Sequence, residues 1–476
     1  LHWGVTWTRA ALAVVAAVAV GVAVVSGSSG TDPRTPAALP GLPPPFFGVA
    51  VIGSGGRAAA VDAYGDVVDL RAPGAAGGAL IHNPTARQAA GSVPADTGIT
   101  ARMRLAGRWI PFWRADSVRQ RYLPQTNVLR TVARIGGKRA VIVRSLGGAA
   151  AARADRRWLA RARPLAAGAP GWARRMYERS LLVLRALTDR RTGAVAAGVR
   201  DGWAYVWPRD AGTVAIALAA AGYRAEARRV VRFLLGLELE AAARFHGDGA
   251  PVAGRTAQGD AAGWVAAAAR AAGIPAAVAP QPWRNRADYQ EGDPGDYLAN
   301  AIASTAARPQ TSEHRTEPAD RRQSLAIRKR FWAAGGTLAR RAGDPSSGID
   351  SAAAWAVRPF PQPALFPLVR RSLLRLAARA SRFGLVPSED WDGGDDPWTA
   401  PTAWTAWSLA ALGERRAALK LLGDLRRDST PAGMLPERVD ARSGIPTSTT
   451  PLAWSHAFAV LALRQLWPGT RQRESR

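Results

Sequence analysis

Two hydrophobic rhythms divide this chain. Between about residues 47 and 146, short apolar runs alternate with turn residues. Val49-Ala50-Val51-Ile52, Val67-Val68, Arg108-Trp109-Ile110 and Ala140-Val141-Ile142-Val143 are separated by Gly55-Gly56, Tyr64-Gly65-Asp66 and Gly136-Gly137. Runs of that length bounded by such turns predict strands. From about residue 172 the period lengthens. Leu181, Leu184 and Leu187 lie along one predicted helix, 176–188. Val230, Phe233, Leu234 and Leu237 follow at i, i+3, i+4 and i+7, with Arg228, Arg229 and Arg232 on the opposite face. That spacing places the apolar side chains on one helical stripe. Similar patterns predict helices at about 211–222, 258–272, 296–307, 322–334, 350–357, 364–381, 399–412, 414–427 and 450–467.

The connections between these helices alternate. Some are short, as at Gly222-Tyr223-Arg224 and at Gly413. Others are long and rich in Trp, Asp, Glu, Gly and Pro. Antiparallel helix pairs with their long loops at one end predict a closed double ring, with the loops converging on one mouth. Residues 273–286 are too short and too interrupted by proline for a helix, so eleven helices are expected rather than twelve.

Composition narrows the chemistry. In 476 residues there is no Cys, which excludes disulfides, thiolate catalysis, zinc fingers and iron–sulfur clusters. The net charge is +28, yet only three of the basic residues are lysines, Lys138, Lys329 and Lys420. No basic run with interleaved aromatics turns this arginine excess into a nucleic-acid site. Gly53-Ser54-Gly55-Gly56-Arg57-Ala58 matches a dinucleotide-binding pattern, but another turn follows at Tyr64-Gly65-Asp66 where a helix is required. A hairpin is expected there instead.

The first 30 residues predict a signal peptide or signal anchor. Residues 10–25 are all Ala, Val, Leu or Gly after Arg9, just short of the roughly 17–25 residues of a spanning helix. Positive charge before the apolar run favours an exported body. Residues 31–45 carry six prolines and predict a stiff spacer. The expected organisation is a leader or anchor over 1–30, a linker over 31–46, a β-rich domain over 47–150 and a helical domain over 170–468. The body is then extracellular, held at the cell membrane by one N-terminal anchor or secreted after cleavage.

Five loops hold the candidate chemistry: 201–210, 245–249, 288–291, 388–394 and 435–440. They combine carboxylates with Trp and Tyr and contain little Ser or Lys. Aromatic rings stack on the apolar faces of a pyranose while acids and Arg bind its hydroxyls. Two carboxyls, one protonated and one ionised, are the equipment for cleaving a glycosidic bond. Taken singly, each Trp also suits a helical core and each acid a helix N-cap.

Trp207-Pro208-Arg209-Asp210 after Gly202-Trp203-Ala204-Tyr205, Leu435-Pro436-Glu437-Arg438-Val439-Asp440 and Thr450-Pro451-Leu452-Ala453-Trp454-Ser455-His456-Ala457 resemble glycoside hydrolase family 15, which holds glucoamylases, glucodextranases and bacterial trehalases. Arg121-Tyr122-Leu123-Pro124-Gln125-Thr126-Asn127-Val128-Leu129 is similar to the family's N-terminal β-sandwich. The resemblance covers about residues 48–467. It implies a mainly α chain, an (α/α)6 barrel behind a small β-sandwich-like domain, and exo-acting, inverting hydrolysis of α-glucosidic bonds without metal or cofactor. Carried onto these residues, Glu437 is the general base and Glu291 the general acid. Trp203, Trp207, Arg209, Asp210, Tyr289, Glu389, Trp391 and Trp454 are assigned to substrate binding. An α-glucan or α-glucoside is then the substrate. A sugar-binding or cell-envelope protein without catalysis on the same barrel, and a helical scaffold with incidental acids, are the alternatives.

Overall fold

The computed structural model describes residues 38–54, 56–82, 99–200, 202–307 and 317–469. The expected membrane segment at 10–25 lies outside these residues. Among the described residues, no helix is long and apolar enough to cross a membrane.

The strand-rich part has two main sheets. β1 (Gly48–Ser54), β2 (Arg57–Asp62), β3 (Val67–Ala72) and β4 (Gly78–His82) form one antiparallel sheet in that order. β5 (Arg102–Leu105) and β6 (Arg108–Pro111) form a separate hairpin. β7 (Ser117–Tyr122), β8 (Leu129–Ile135) and β9 (Lys138–Arg144) form the second large sheet. Ser54 pairs with Arg57, so the glycine-rich pattern is the expected β1–β2 hairpin. Val49 of β1, Val118 of β7 and Ile135 of β8 share a small core with Phe47, Tyr64 and Phe112. Residues 38–47, expected as spacer, are packed there too: the Tyr64 hydroxyl donates to the Pro43 carbonyl at 3.0 Å, and the Phe46 N–H donates to Asp62 at 2.9 Å.

The helices are α1 (Gly148–Leu159), α2 (Gly171–Leu187), α3 (Pro208–Ala220), α4 (Arg224–Leu235), α5 (Ala261–Ala272), α6 (Leu298–Ala303), α7 (Glu317–Phe331), α8 (Phe366–Arg379), α9 (Thr399–Ala411), α10 (Arg415–Asp428) and α11 (Ala453–Leu466). Four of them, α3, α5, α9 and α11, are buried almost all round. With α6 and the 3-10 helix Ser351–Ala356 they close a ring, each touching the next and α11 returning to α3. Small residues permit that closure. A Cβ added at Gly263 in α5 would lie 2.1 Å from the Ala303 carbonyl oxygen in α6. The outer helices α2, α4, α8 and α10 are amphipathic, with Arg on their outward faces, as a helix covering a core on one side requires.

Residues 273–286 contain no helix, as expected from their prolines, and leave the outer ring one member short. The sequence expectations differ from this fold in four other places. Residues 350–357 form a 3-10 rather than an α-helix, and 296–307 forms a six-residue helix followed by a 3-10 turn. The helix expected at 322–334 stops at Phe331 and runs into a three-stranded sheet, β10 (Trp332–Ala333), β11 (Thr337–Arg341) and β12 (Asp344–Ile349). α1 was unforeseen: its buried stripe of Ala151, Ala152, Trp158 and Leu159 is interrupted by Asp155.

The 121–129 segment joins the two parts. The Tyr122 hydroxyl donates to the Val51 carbonyl at 2.6 Å and lies 3.9 Å from the sulfur of Met434. The Asn127 side chain donates to the Leu182 carbonyl of α2, and Arg179 of α2 lies over the Tyr122 ring at 3.7 Å. Polarity at the ring's two ends follows from chain direction. All six inner elements begin at the long loops and finish at the opposite, short-loop end.

Candidate active site

The loop 202–207 enters α3 and carries two indoles that reach two different glutamates. The Trp203 Nε1–H donates to Glu437 Oε1 at 3.3 Å, and the Trp207 Nε1–H donates to Glu291 Oε1 at 2.9 Å. The loop is braced by paired 2.8 Å backbone bonds between Val206 and Phe245. It is also braced by the Arg244 guanidinium lying 4.7 Å from the Tyr205 ring. The two carboxylates are therefore tied through one short, fixed segment.

Glu437 precedes α11. Its backbone N–H donates to the Thr449 carbonyl at 2.9 Å, and its carbonyl accepts from the Thr399 N–H at 3.1 Å. Its carboxylate accepts from the Ser448 hydroxyl and stands 4.0 Å from the Arg438 guanidinium. Behind it, buried His456 accepts the Leu435 N–H on Nε2 at 3.0 Å and bonds Ser180 through Nδ1 at 2.9 Å. An acceptor Nε2 requires a neutral ring with the proton on Nδ1, and burial holds this pKa down at about 3.

Glu291 ends the turn that begins at Asp288. Its N–H donates to the Asp288 carbonyl at 3.0 Å, and its φ of 60° is left-handed, a strained setting for a residue with a Cβ. An acid that must hold its proton needs an apolar or anionic setting, and its sequence neighbours Tyr289, Asp288 and Asp293 are expected to supply one. The structure corrects that expectation. Tyr289 is buried beneath the turn, its hydroxyl donating to Asp350 at 2.7 Å. Asp288 is engaged by Arg340 of β11 at 3.2 Å. The Asp293 carbonyl receives the Tyr297 hydroxyl. What faces Glu291 is a cation: Arg255 forms an ion pair with it, and Gln258 donates to the same carboxylate at 3.3 Å. Burial lowers the Arg255 pKa, with Arg244 adding to the effect and Glu437 opposing it, so Arg255 senses both glutamates.

Arg209 and Asp210 open α3, and both are buried. Arg209 donates from Nη1 to Asp260 at 3.1 Å and to Gln258, and its guanidinium lies 4.7 Å from the Trp454 ring. Burial raises the Asp210 pKa to about 7, Arg209 opposing and Glu437 and Asp260 adding to it. Trp454 sits below this pair among Trp404, Tyr289, Trp355 and Phe458. It forms a floor for Arg209 rather than an open stacking face.

Glu389 stands apart from the two central carboxylates. It accepts the Ile349 N–H at 2.9 Å and pairs with Arg375 and Arg379 of α8. Trp391 meets Trp398 edge-on at 5.2 Å, and Arg438 lies over Trp398 at 5.7 Å, which links Trp391 to the rim beside Glu437. Arg340 braces this side from the inserted sheet, reaching Asp288, Asp350 and Asp390. Burial alone would lower its pKa, but these carboxylates hold it above the ordinary value.

Arg255, Gln258, Asp260, Arg340 and Ser448 were not singled out from the sequence, and His456 appeared only within the Thr450–Ala457 motif, without a role. Gln258 and Asp260 were hidden by starting the helix at 258, where it starts at Ala261. Arg255 had a signal, its place in a long loop beside Gly254. Arg340 had none, since the strands that carry it do not show in the helical periodicity.

Several buried polar atoms around this mouth lack a hydrogen-bond partner. Among the described residues they include the indole N–H groups of Trp391, Trp398 and Trp454, Nε of Arg209 and Arg438, and Oδ1 of Asp260. Buried polar groups are almost always paired in folded proteins, and atoms of this kind also occur in the core away from the mouth, at Trp264 and Trp355.

The sequence profile described as "Glycosyl hydrolases family 15" matches residues 171–241, which span α2, the Trp203–Trp207 loop, α3 and α4. The chain is similar to this glycosidase family. The likeness extends to the fold. A glycosidase carrying a point substitution is 20% identical with a TM-score of 0.52, covering 63% of this chain and 99% of its own. A glycosidase in complex with glucose is 21% identical with a TM-score of 0.51 over the same shares. A bacterial glucoamylase complexed with acarbose is 17% identical with a TM-score of 0.52, covering 66% of this chain and 58% of its own. At these identities the structural likeness is one of fold. No curated protein sequence matches the chain. The profile is that of a glycosyl hydrolase family, and the structures that share this fold include glycosidases and a glucoamylase.

Proposed function

We propose that the protein is an exo-acting, inverting hydrolase of α-glucosidic bonds, with Glu291 as general acid and Glu437 as general base. The observation that carries this reading is the pair of indole hydrogen bonds, Trp207 to Glu291 and Trp203 to Glu437, from one braced loop. Two carboxyls fixed to a common element suit a reaction in which one protonates the leaving oxygen while the other activates water. The Ser448 hydroxyl donates to the Glu437 carboxylate, and Arg438 stands beside it. Arg209 and Asp210 at the start of α3 are suited to the hydroxyls of a terminal glucose. The substrate is accordingly an α-glucan or α-glucoside, bound without metal or cofactor. The strand-rich part over 47–150 is proposed to support a catalytic domain over 170–468.

A second reading, a sugar-binding protein without turnover, draws on the Arg255–Glu291 ion pair, which favours the ionised carboxylate. Glu291→Gln and Glu437→Gln separate the two, assayed on a panel of α-glucans with the released anomer followed by NMR. Initial β-glucose from the wild type, with turnover reduced by about 10²–10⁴ in each variant, supports the proposal. Initial α-glucose refutes inversion, and no release from any α-glucan leaves the binding protein. Should Glu291→Gln retain activity while Glu389→Gln loses it, the acid has been assigned to the wrong residue.

The apolar run at 10–25 and the prolines after it support a further proposal, an extracellular body tethered to the membrane by its N-terminus or released by cleavage. Finding the intact protein in a soluble cytoplasmic fraction would refute it.

A further inference from the structure

The short-loop end of the ring, opposite the glutamates, holds a cavity of about 410 Å³. Its floor is apolar, with Ile216 of α3 and buried Trp407 of α9, and its walls carry Arg163, Arg224, Arg358 and Arg464. No Asp or Glu lines it. The volume falls in the range of roughly 300–1,000 Å³ usual for small-molecule sites.

Some outer-surface arginines find carboxylates, as in Arg161–Glu226, Arg286–Glu240 and Arg370–Glu414, and others stand singly on the surface; here four of them surround one apolar floor with no acid. In the cavity, the guanidinium groups of Arg163, Arg224 and Arg358 make no hydrogen bond, ion pair or ring contact among the described residues. Two of the inner helices have cations of their own at their negative ends. Arg228 already donates to the Ala272 carbonyl that ends α5, and Arg415 to the Leu466 carbonyl that ends α11. Arg464 is held in place by the Arg163 carbonyl at 2.9 Å, with the Tyr177 hydroxyl at 3.4 Å. Like charges gathered without counter-charge are costly unless an anion joins them, and guanidinium groups bind phosphate and carboxylate with two parallel hydrogen bonds. The apolar floor adds a surface for the carbon face of a ring.

We propose that this cavity binds a sugar-sized anion, a saccharide unit bearing a phosphate or carboxylate group, at a site separate from the two glutamates. The proposal does not depend on which residues perform hydrolysis. The test is calorimetric titration of the full chain at about 50 mM salt with glucose 6-phosphate, glucuronate and inorganic phosphate. It is then repeated with the Arg224→Glu/Arg358→Glu double variant. Both residues are exposed, and neither touches the catalytic mouth. Saturable binding of either sugar anion, at least tenfold tighter than inorganic phosphate and at least tenfold weaker in the double variant, is the expected result. Hydrolysis of a neutral α-glucan should be equal in the two proteins. The proposal is overturned if neither sugar anion binds, if inorganic phosphate binds as tightly, or if the double variant binds as the wild type does.

Discussion

The Nε2 of His456 accepts the backbone N–H of Leu435 at 3.0 Å, two residues before Glu437. A ring that must accept at this nitrogen cannot be protonated there, and it is fully buried. The segment bearing Glu437 is thus anchored by a neutral imidazole.

That anchor predicts acid sensitivity. The folded pKa of His456, about 3, lies below the unfolded value of roughly 6.5. Its stabilisation is complete above the unfolded value and is lost as pH falls toward the folded one. Between pH 7 and pH 5 this one group should remove about 2 kcal/mol. Urea unfolding at the two pH values should show that loss, and His456→Gln should have a flatter profile with lower stability at pH 7.

Asp210 predicts the opposite sign. Its folded pKa of about 7 exceeds the unfolded value of roughly 3.9, so its contribution is favourable below the unfolded value and is lost as pH rises through 7. Asp210→Asn removes a buried charge and should raise stability at pH 8, by about 4 kcal/mol at most. The same variant should raise the KM for an α-glucan at least tenfold. A variant that is less stable at pH 8 would contradict the burial argument.

How far the sequence could be read depended on what each residue's neighbours reveal. Trp207-Pro208-Arg209-Asp210 sits where a strand-like approach meets a helix start, and α3 begins at Pro208. Leu435 to Asp440 was legible because acids, Arg and Pro crowd a segment with no helical period. Arg340 was not legible. Its role comes from a sheet inserted between α7 and the 3-10 helix, and it acts on Asp288, Asp350 and Asp390 from distant loops. Glu389 looked equivalent to Glu291 in composition, yet Arg375 and Arg379 one helix away occupy it. Helical surface arginines give no sign of which loop they will meet.

Arg340 should therefore matter more than its position suggests. Replacing it with Met leaves three carboxylates without their shared cation, two of them fully buried. Losing one partner of a buried ion cluster costs about 3–5 kcal/mol. Arg340→Met should lower the thermal midpoint strongly, while Arg340→Lys should recover part of the stability without restoring full turnover. Thermal unfolding and kcat on one α-glucan test both statements.

Arg255 gives a kinetic prediction. A cation beside a carboxyl that must donate a proton favours the ionised form. Arg255→Met should shift the alkaline limb of the kcat/KM profile to higher pH. An unchanged profile would mean that Arg255 does not govern the ionisation of the acid in the free enzyme.

The Tyr122 hydroxyl, bonded to β1 and within 3.9 Å of Met434, bears on how the chain can be divided. Met434 adjoins the Leu435–Glu437 segment, and the sheet that Tyr122 anchors covers the face of α2 carrying Leu182 and Ala186. Excising the strands would bare that face and slacken the segment leading to the proposed base. The smallest unit that can work is therefore the strands and the ring together, so a mutation far out in the sheet can be read out in catalysis.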